Sequence, residues 1–254
     1  MGFLVRGRYR TRLAESDEDI RAAQELRHAQ FIAGRNTAVS ESRGAGIDAD
    51  EFDTICQHVL IEETKGGRLV CCFRFLPLEN GTEIARSYSA RHYDLSLLQK
   101  YPGRLVEMGR FCIDPAYRDA DVLRVAWGAM TQYVDQNGVD MLFGCSSFAG
   151  TEADAHMDAF TLLKERHLAP KRFLPRVKAP NVFRFASQLR RRKPNLPLAM
   201  KAMPPLLRSY LAMGGWVSDH AVVDNDLDTL HVFTGLEVAR VPARRAQLLR
   251  QVSA

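Results

Sequence analysis

Apolar positions first recur at helical spacing downstream of Ser16. Ala23, Arg27 and Phe31 stand at i, i+4 and i+8 and form one stripe, which predicts a helix ending near Phe31. Ser16 is its N-cap, and Asp17, Glu18 and Asp19 occupy the first turn, where the helix dipole favours acids. Residues 9–16 read as a preceding strand. Two apolar runs, HVLIEE (58–63) and RLVCCFRFLPL (68–78), flank Lys65-Gly66-Gly67 and read as a β-hairpin. The polar, Gly-containing stretch 34–53 before them reads as a loop. RLVEMGRFCI (104–113) is a further strand. It leads into a helix whose apolar face is Val122, Leu123, Ala126, Trp127, Met130, Tyr133 and Val134, ended by Asn137-Gly138. MLFGC (141–145) is a short buried strand, so 104–145 is a β-α-β unit. Thr151 is expected to cap a helix to about Arg166. A helix near 204–213 and strands at 221–224 and 229–238 complete the pattern.

This order predicts an α/β fold: an open mixed sheet with helices packed on its faces. Residues 1–165 form the core, and 166–254 form a basic, Pro-rich amphipathic segment with a C-terminal helix and strands that complete the same domain. Across 254 residues, 26% charged and 46% hydrophobic positions argue against disorder, collagen or coiled coil. No run approaches the roughly 18 apolar residues of a membrane span, and the first residues lack the apolar region of a secretory signal. The five Cys (Cys56, Cys71, Cys72, Cys112, Cys145) contain no C-x-x-C pair, and the His form no H-E-x-x-H. Neither disulfides nor a metal is expected, and a reducing cytoplasm fits.

Charge changes the picture more than composition does. Lys+Arg number 35 and Asp+Glu 30, yet from Arg166 to Ser218 there are 12 Lys and Arg and no acid. A cation of that density suits anionic lipid, an acidic protein or nucleic acid. The cluster Arg190, Arg191, Arg192 and Lys193 is followed by Leu196, Leu198, Met200 and Met203. That mixture fits a membrane interface, with apolar side chains in the acyl boundary and cations at headgroups. Nucleic acid is not expected, because no DNA- or RNA-binding signature accompanies the charge.

Several polar residues interrupt apolar strands. Arg74 shares a strand face with Val70, Cys72 and Leu76, which is costly unless it is paired, so an internal carboxylate partner is expected. Asp48, Asp50 and Asp53 form an acidic loop without the remaining ligands of a calcium-binding loop. Glu107 and Arg110, three apart, would face opposite sides of a regular strand; a bulge at Gly109 would re-aim one of them. A cross-strand salt bridge and a substrate-facing carboxylate with an orienting arginine both fit. Cys145-Ser146-Ser147 follows a predicted strand but lacks G-x-S-x-G, so covalent catalysis is not expected.

Taken in order, ELRHAQF (25–31), the three aspartates, CFRFLP (72–77) and EMGRFCIDPAYR (107–118) resemble the acyl-homoserine-lactone synthases. With GCSSFAGT (144–151) and PPLLRSYLAMGGWV (204–217), the chain is more similar to their relatives, the L-ornithine Nα-acyltransferases of ornithine-lipid synthesis. The resemblance implies a GNAT-type mixed central sheet with helices on both faces and a C-terminal extension. It also implies an acyl carrier protein as donor and L-ornithine as acceptor. Carried over residue by residue, Arg27, Phe31, Asp48, Arg74 and Arg110 would bind substrate. Phe111, Cys112, Ile113, Tyr117, Arg118, Cys145 and Ser146 would meet the carrier's phosphopantetheine. Arg190, Arg191, Arg192 and Lys193 would face the carrier or the membrane. The glycine-rich pyrophosphate loop of general acetyltransferases is absent; Arg118-Asp119-Ala120-Asp121 stands there instead, and Asp121 would repel a pyrophosphate. No cofactor is therefore expected beyond the donor's own phosphopantetheine thioester.

The implied reaction moves a long, 3-hydroxylated acyl chain to the α-amine of ornithine, giving lyso-ornithine lipid in the cytoplasm or on the inner face of the membrane. Glu107 is the first choice for the base that takes the amine proton, with Asp53 and Asp50 as alternatives. A backbone N–H near Phe111 to Ile113 would meet the thioester oxygen. Arg27, Arg74 or Arg110 would hold the ornithine carboxylate. Two other readings fit the same residues: an acyl-homoserine-lactone synthase-like enzyme, and a non-catalytic module that binds lipid or acyl carrier.

Overall fold

Eleven strands and eight α-helices follow one another in a computed structural model that describes residues 4–31, 46–117 and 119–253. The chain divides into two compact units. One comprises Met1–Pro77, Met108–Val139 and Ala243–Ala254; the other comprises Leu78–Glu107 and Asp140–Pro242.

In the first unit, β1 (Leu4–Arg6), β2 (Tyr9–Leu13), β3 (Gln57–Glu63) and β4 (Leu69–Leu78) are successive antiparallel neighbours. The second half of β6 (Leu105–Ile113) lies beside β4. Helix α1 (Asp17–Phe31) begins as expected, with the Ser16 hydroxyl accepting from the Asp19 N–H at 3.2 Å. Its Ala23, with Leu26 and Phe31, packs against Leu60, Cys72 and Cys112 on one sheet face. Phe75, one face over on β4, meets Tyr133 of helix α3 (Ala120–Asn137) at 4.4 Å between ring centroids. Covered on both sides, β4 is buried almost throughout, as its unbroken apolar run requires. Gly138 ends α3 at φ 59, a left-handed conformation that costs glycine little. Helix α8 (Ala243–Ser253) joins this unit, where Arg250 makes two hydrogen bonds to Asp135, at 2.8 and 3.0 Å.

The second unit carries the later strands of the same nine-stranded order. The first half of β6 pairs in parallel with β7 (Met141–Ala149) at three positions, the last being Glu107 with Phe143. β7 pairs antiparallel over its length with β11 (Thr229–Glu237), β11 with β10 (Trp216–Asp224), and β10 with β9 (Val182–Phe183). One parallel ladder among antiparallel ones makes the sheet mixed, as expected. Gly235 stands opposite Trp216, whose indole fills the space a Cβ would need. Helix α4 (Met157–Arg166) supplies Phe160 and Leu163 to a core with Phe148, Phe185, Ala199, Met203 and Leu207. The short helices α2 (Ser89–His92), α5 (Phe185–Gln188), α6 (Leu196–Ala202) and α7 (Pro205–Ala212) complete this unit, with a two-stranded pair of β5 (Tyr93–Asp94) and β8 (Arg176–Val177).

Two local expectations need correction. The strand 141–145 does not stop at Cys145: Ser146 and Ser147 also lie within β7, because the strand alternates buried and less buried positions on to Ala149. Thr151 does not cap α4: a 3₁₀ turn, Ala153–His156, precedes the helix. Part of the expected loop, 34–45, lies outside the described residues.

Candidate active site

The first unit gathers three arginines and three aspartates into one buried network. Arg27 rises from α1 and is 1% exposed. Two of its nitrogens each lie 2.8 Å from an oxygen of Asp53, and its Nε donates to Asp48 at 3.1 Å. It also donates to the Asp48 carbonyl. Arg74, on β4, grips both oxygens of Asp50 at 2.6 and 2.8 Å and one of Asp53 at 2.6 Å. Arg110 reaches Asp50 at 3.1 Å and lies 3.0 Å from Asp48. The expected internal carboxylate for Arg74 is therefore present twice over.

The loop is shaped for this. Asp50 caps a 3₁₀ turn, Glu51–Thr54, accepting from the Phe52 N–H, while Asp53 accepts from the Asp50 N–H. That reciprocal arrangement orients both carboxylates from within the turn itself. The Asp48 N–H donates to the Gln24 carbonyl, and Gln24 Nε2 donates to Asp53, so α1 holds the loop at both ends. The Arg74 guanidinium also lies 5.5 Å from the Phe52 ring centroid.

The electrostatics follow the pairing. Burial pulls Asp53 upward, but the hydrogen bonds and charge of Arg27, with Gln24 and Arg74, outweigh it and hold the carboxyl far below its usual 3.8. Asp50 is lowered in the same way, burial being outweighed by Arg74 and Arg110. His58 lies opposite Arg74 in the β3–β4 register, with its Nε2 3.0 Å from the Asp53 carbonyl; burial lowers it.

Arg110 has φ 52, rare for a residue with a side chain, so the alternation of β6 breaks one residue past Gly109. The irregularity expected there is present, and Arg110 points to the aspartates.

Glu107 belongs to the second unit and is 5% exposed. Its Oε1 accepts from the Ser89 N–H at 2.7 Å and from the Ser89 hydroxyl at 2.5 Å. Its Oε2 accepts from the Tyr88 N–H at 2.8 Å. The first turn of α2 thus orients the carboxylate with main-chain donors. The Ser89 hydroxyl is also 3.5 Å from the Cys145 thiol of β7.

Sequence reading missed what surrounds this carboxylate. Helix α2 ends at His92, whose ring lies 4.9 Å from Tyr88 and 5.0 Å from His231. Tyr93 donates from its hydroxyl to the His231 carbonyl at 2.7 Å and packs 5.2 Å from the His220 ring. Burial, with the neighbouring His92 and His220, lowers His231 to about 3, so it stays neutral. These histidines lie far from His92 in sequence; only strand register unites them. The backbone donors at Tyr88 and Ser89 carry no sequence signal at all.

The other expected residues are scattered. Phe31 packs in the α1 core. Phe111 stacks on Phe73 at 5.7 Å. Cys112 is buried with its sulfur 3.7 Å from Cys72, and that contact and burial raise its thiol. Ile113 is half-buried. Tyr117 donates to Glu63 at 2.9 Å beneath the Arg68 guanidinium. Arg118 lies outside the described residues. Ser146 accepts from the Thr234 hydroxyl at 2.9 Å. Arg190, Arg191, Arg192 and Lys193 are exposed. At the start of α3 the Asp119 carboxylate already takes the Asp121 N–H at 2.8 Å.

Comparison with known proteins gives this geometry its family. Residues 26–128 match the model of the acetyltransferase (GNAT) domain. L-ornithine N(alpha)-acyltransferase of Rhodobacter capsulatus is 35% identical over 88% of this chain and 88% of its own. The protein of the same name from Brucella abortus is 32% identical over 94% of this chain and 87% of its own. The solved structure of FeeM, an N-acyl amino acid synthase from uncultured soil microbes, has the same fold: TM-score 0.52 at 11% identity, covering 97% of this chain and 99% of FeeM. The chain belongs to the L-ornithine Nα-acyltransferase family and is an N-acyltransferase.

Proposed function

We propose that this enzyme moves a 3-hydroxyacyl chain from the phosphopantetheine thioester of an acyl carrier protein to the α-amine of L-ornithine, giving lyso-ornithine lipid. Family membership supports the acceptor, and the fixed carboxylate of Glu107 carries the mechanism.

An ammonium cannot attack; it must first lose a proton. Glu107 accepts that proton, directly or through a water. The freed amine attacks the thioester carbonyl, the C–N bond forms and the C–S bond breaks. The nitrogen gives up a second proton as the thiolate leaves; the thiolate takes up one of the two protons and the other passes to water, so the products are an amide, the free carrier thiol and one released proton. Two main-chain N–H groups hold the base in one orientation, which favours a defined line of transfer. Asp53 and Asp50 are poor candidates for the base, because their arginines hold them as anions far below neutral pH. Their role in this reading is to position the 48–53 loop. Asp50 and Arg110 have the largest side-chain exposures of the six, 14% and 9%, and are the members that would meet a substrate.

The donor is a carrier rather than coenzyme A. A pyrophosphate needs open N–H groups at a helix start; here Asp119 and Asp121 place negative charge at the start of α3. In this reading a backbone N–H near Phe111 to Ile113 meets the thioester oxygen, and Tyr117 serves the phosphopantetheine arm.

The test combines purified enzyme, acylated carrier and ornithine, with mass spectrometry for N-acyl-ornithine. Glu107→Gln should lower the rate about 100-fold or more with the fold intact by circular dichroism. A wild-type rate in that variant excludes Glu107 as the base. Equal rates with acyl-coenzyme A would remove the carrier from the proposal.

A further inference from the structure

The residues that follow β9 in the second unit combine exposed apolar and cationic groups on a rigid base. Leu189 is 5% exposed and is anchored in the core with Phe185. Arg190, Arg191, Arg192 and Lys193 then emerge into solvent. Helix α6 follows at once. Its Ala199, and Met203 just beyond it, are buried in the same core. Outside that buried strip Leu196 and Met200, one turn apart, and Leu198 between them in sequence are exposed at 43%, 46% and 52%. Exposed leucines and methionines at this density, so close together in the chain, are uncommon on a protein that stays in water.

The segment is held in place rather than left to drift. Lys164 of α4 donates from Nζ to the carbonyls of Leu189 and Arg192, at 2.9 and 3.0 Å. Asp158 accepts from the Asn195 N–H at 2.8 Å, and Asn195 caps α6 through the Leu198 N–H. No acid lies in the sequence from Arg166 to Ser218. Lys201 adds a further exposed cation on the helix itself.

We infer that residues 190–201 form a docking knuckle for an anionic lipid surface. Leu196, Leu198 and Met200 enter the acyl boundary, while Arg190, Arg191, Lys193 and Lys201 meet phosphate headgroups. Charge alone would suit an acidic protein equally well. The three exposed apolar side chains decide for lipid, because burying them in the acyl region adds a favourable term that a highly charged partner face does not offer. The inference stands on this surface alone and does not depend on the acceptor or the base proposed above.

The test is flotation of the full-length protein with vesicles of phosphatidylcholine, with and without phosphatidylglycerol. The expected result is binding to the phosphatidylglycerol vesicles that weakens as salt rises. Two variants separate the contributions. One carries Arg190→Glu, Arg191→Glu and Lys193→Glu, leaving Arg192 to its Asp158 contact at 3.4 Å. The other carries Leu196→Ser, Leu198→Ser and Met200→Ser. Each should lose binding about tenfold or more, with an unchanged melting temperature because every substituted side chain is exposed. Binding by either variant equal to wild type overturns the proposal, as does equal flotation on both vesicle types. If the serine variant still floats while the charge variant loses both vesicles and an acidic acyl carrier protein, the surface is an acidic-protein dock and the lipid assignment falls.

Discussion

Arg27 is the largest fully buried side chain among the described residues, and an ion buried so deeply is tolerated only when every donor has an acceptor. Asp48 and Asp53 provide those acceptors, and Asp53 serves Arg74 as well. Removing one charge from such a network leaves others stranded. Asp53→Asn should therefore destabilise the protein by about 3–5 kcal/mol, read from urea unfolding near neutral pH. The sign of the acid response also follows. Asp50 and Asp53 are depressed in the folded state, so their contribution is complete above the ordinary value of 3.8 and is lost as pH falls below it. His231 acts over a wider window. It is neutral when folded down to about 3 but takes a proton near 6.5 when unfolded, so stability declines as pH drops from 6.5 toward 3. In denaturation curves across that range, His231→Gln should show a shallower decline than wild type. An unchanged slope would mean that other groups govern it.

Elements were legible in the sequence where periodicity and turn chemistry agreed. Helix α1, the β3–β4 hairpin and α3 are all anticipated within a few residues, because each carries both an apolar stripe and a marked end. An internal acid for Arg74 is also foreseeable, since a guanidinium inside an apolar strand demands one. Which aspartates answer it is not, because the choice depends on how the 48–53 turn presents its carboxylates. Ser146 to Ala149 failed for a different reason: two serines in succession disguised a strand whose late residues alternate in burial. The surroundings of Glu107 were invisible, because main-chain donors have no letter in the sequence. One element end offers a clean test. No atom lies within 4 Å of a Cβ placed on Gly138, so Gly138→Ala meets no clash and shows only the backbone strain of φ 59. The expected loss is about 1 kcal/mol, measured as a lower urea midpoint.

At the scale of the whole molecule, the family and the fold were readable from the order of soft motifs, each weak alone. The division of the chain was not. The first unit is assembled from three separated stretches of sequence, with α8 as its last piece. Deleting Ala243–Ser253 takes away the Arg250 pair with Asp135 and the Arg6 bond to the Gln251 carbonyl, at 3.2 Å. The truncated protein should melt several degrees lower, and limited proteolysis should cut first within the unit that lost its helix. A melting profile identical to wild type would show α8 to be dispensable. No helix among the described residues is long and apolar enough to cross a membrane.

The return of the polypeptide to its first unit also sets an order on biosynthesis. Residues 140–242 leave the ribosome before α8 exists, so the second unit can fold while the first still lacks a component. The α3 surface that α8 will cover stays uncovered for that interval, until α8 itself is released.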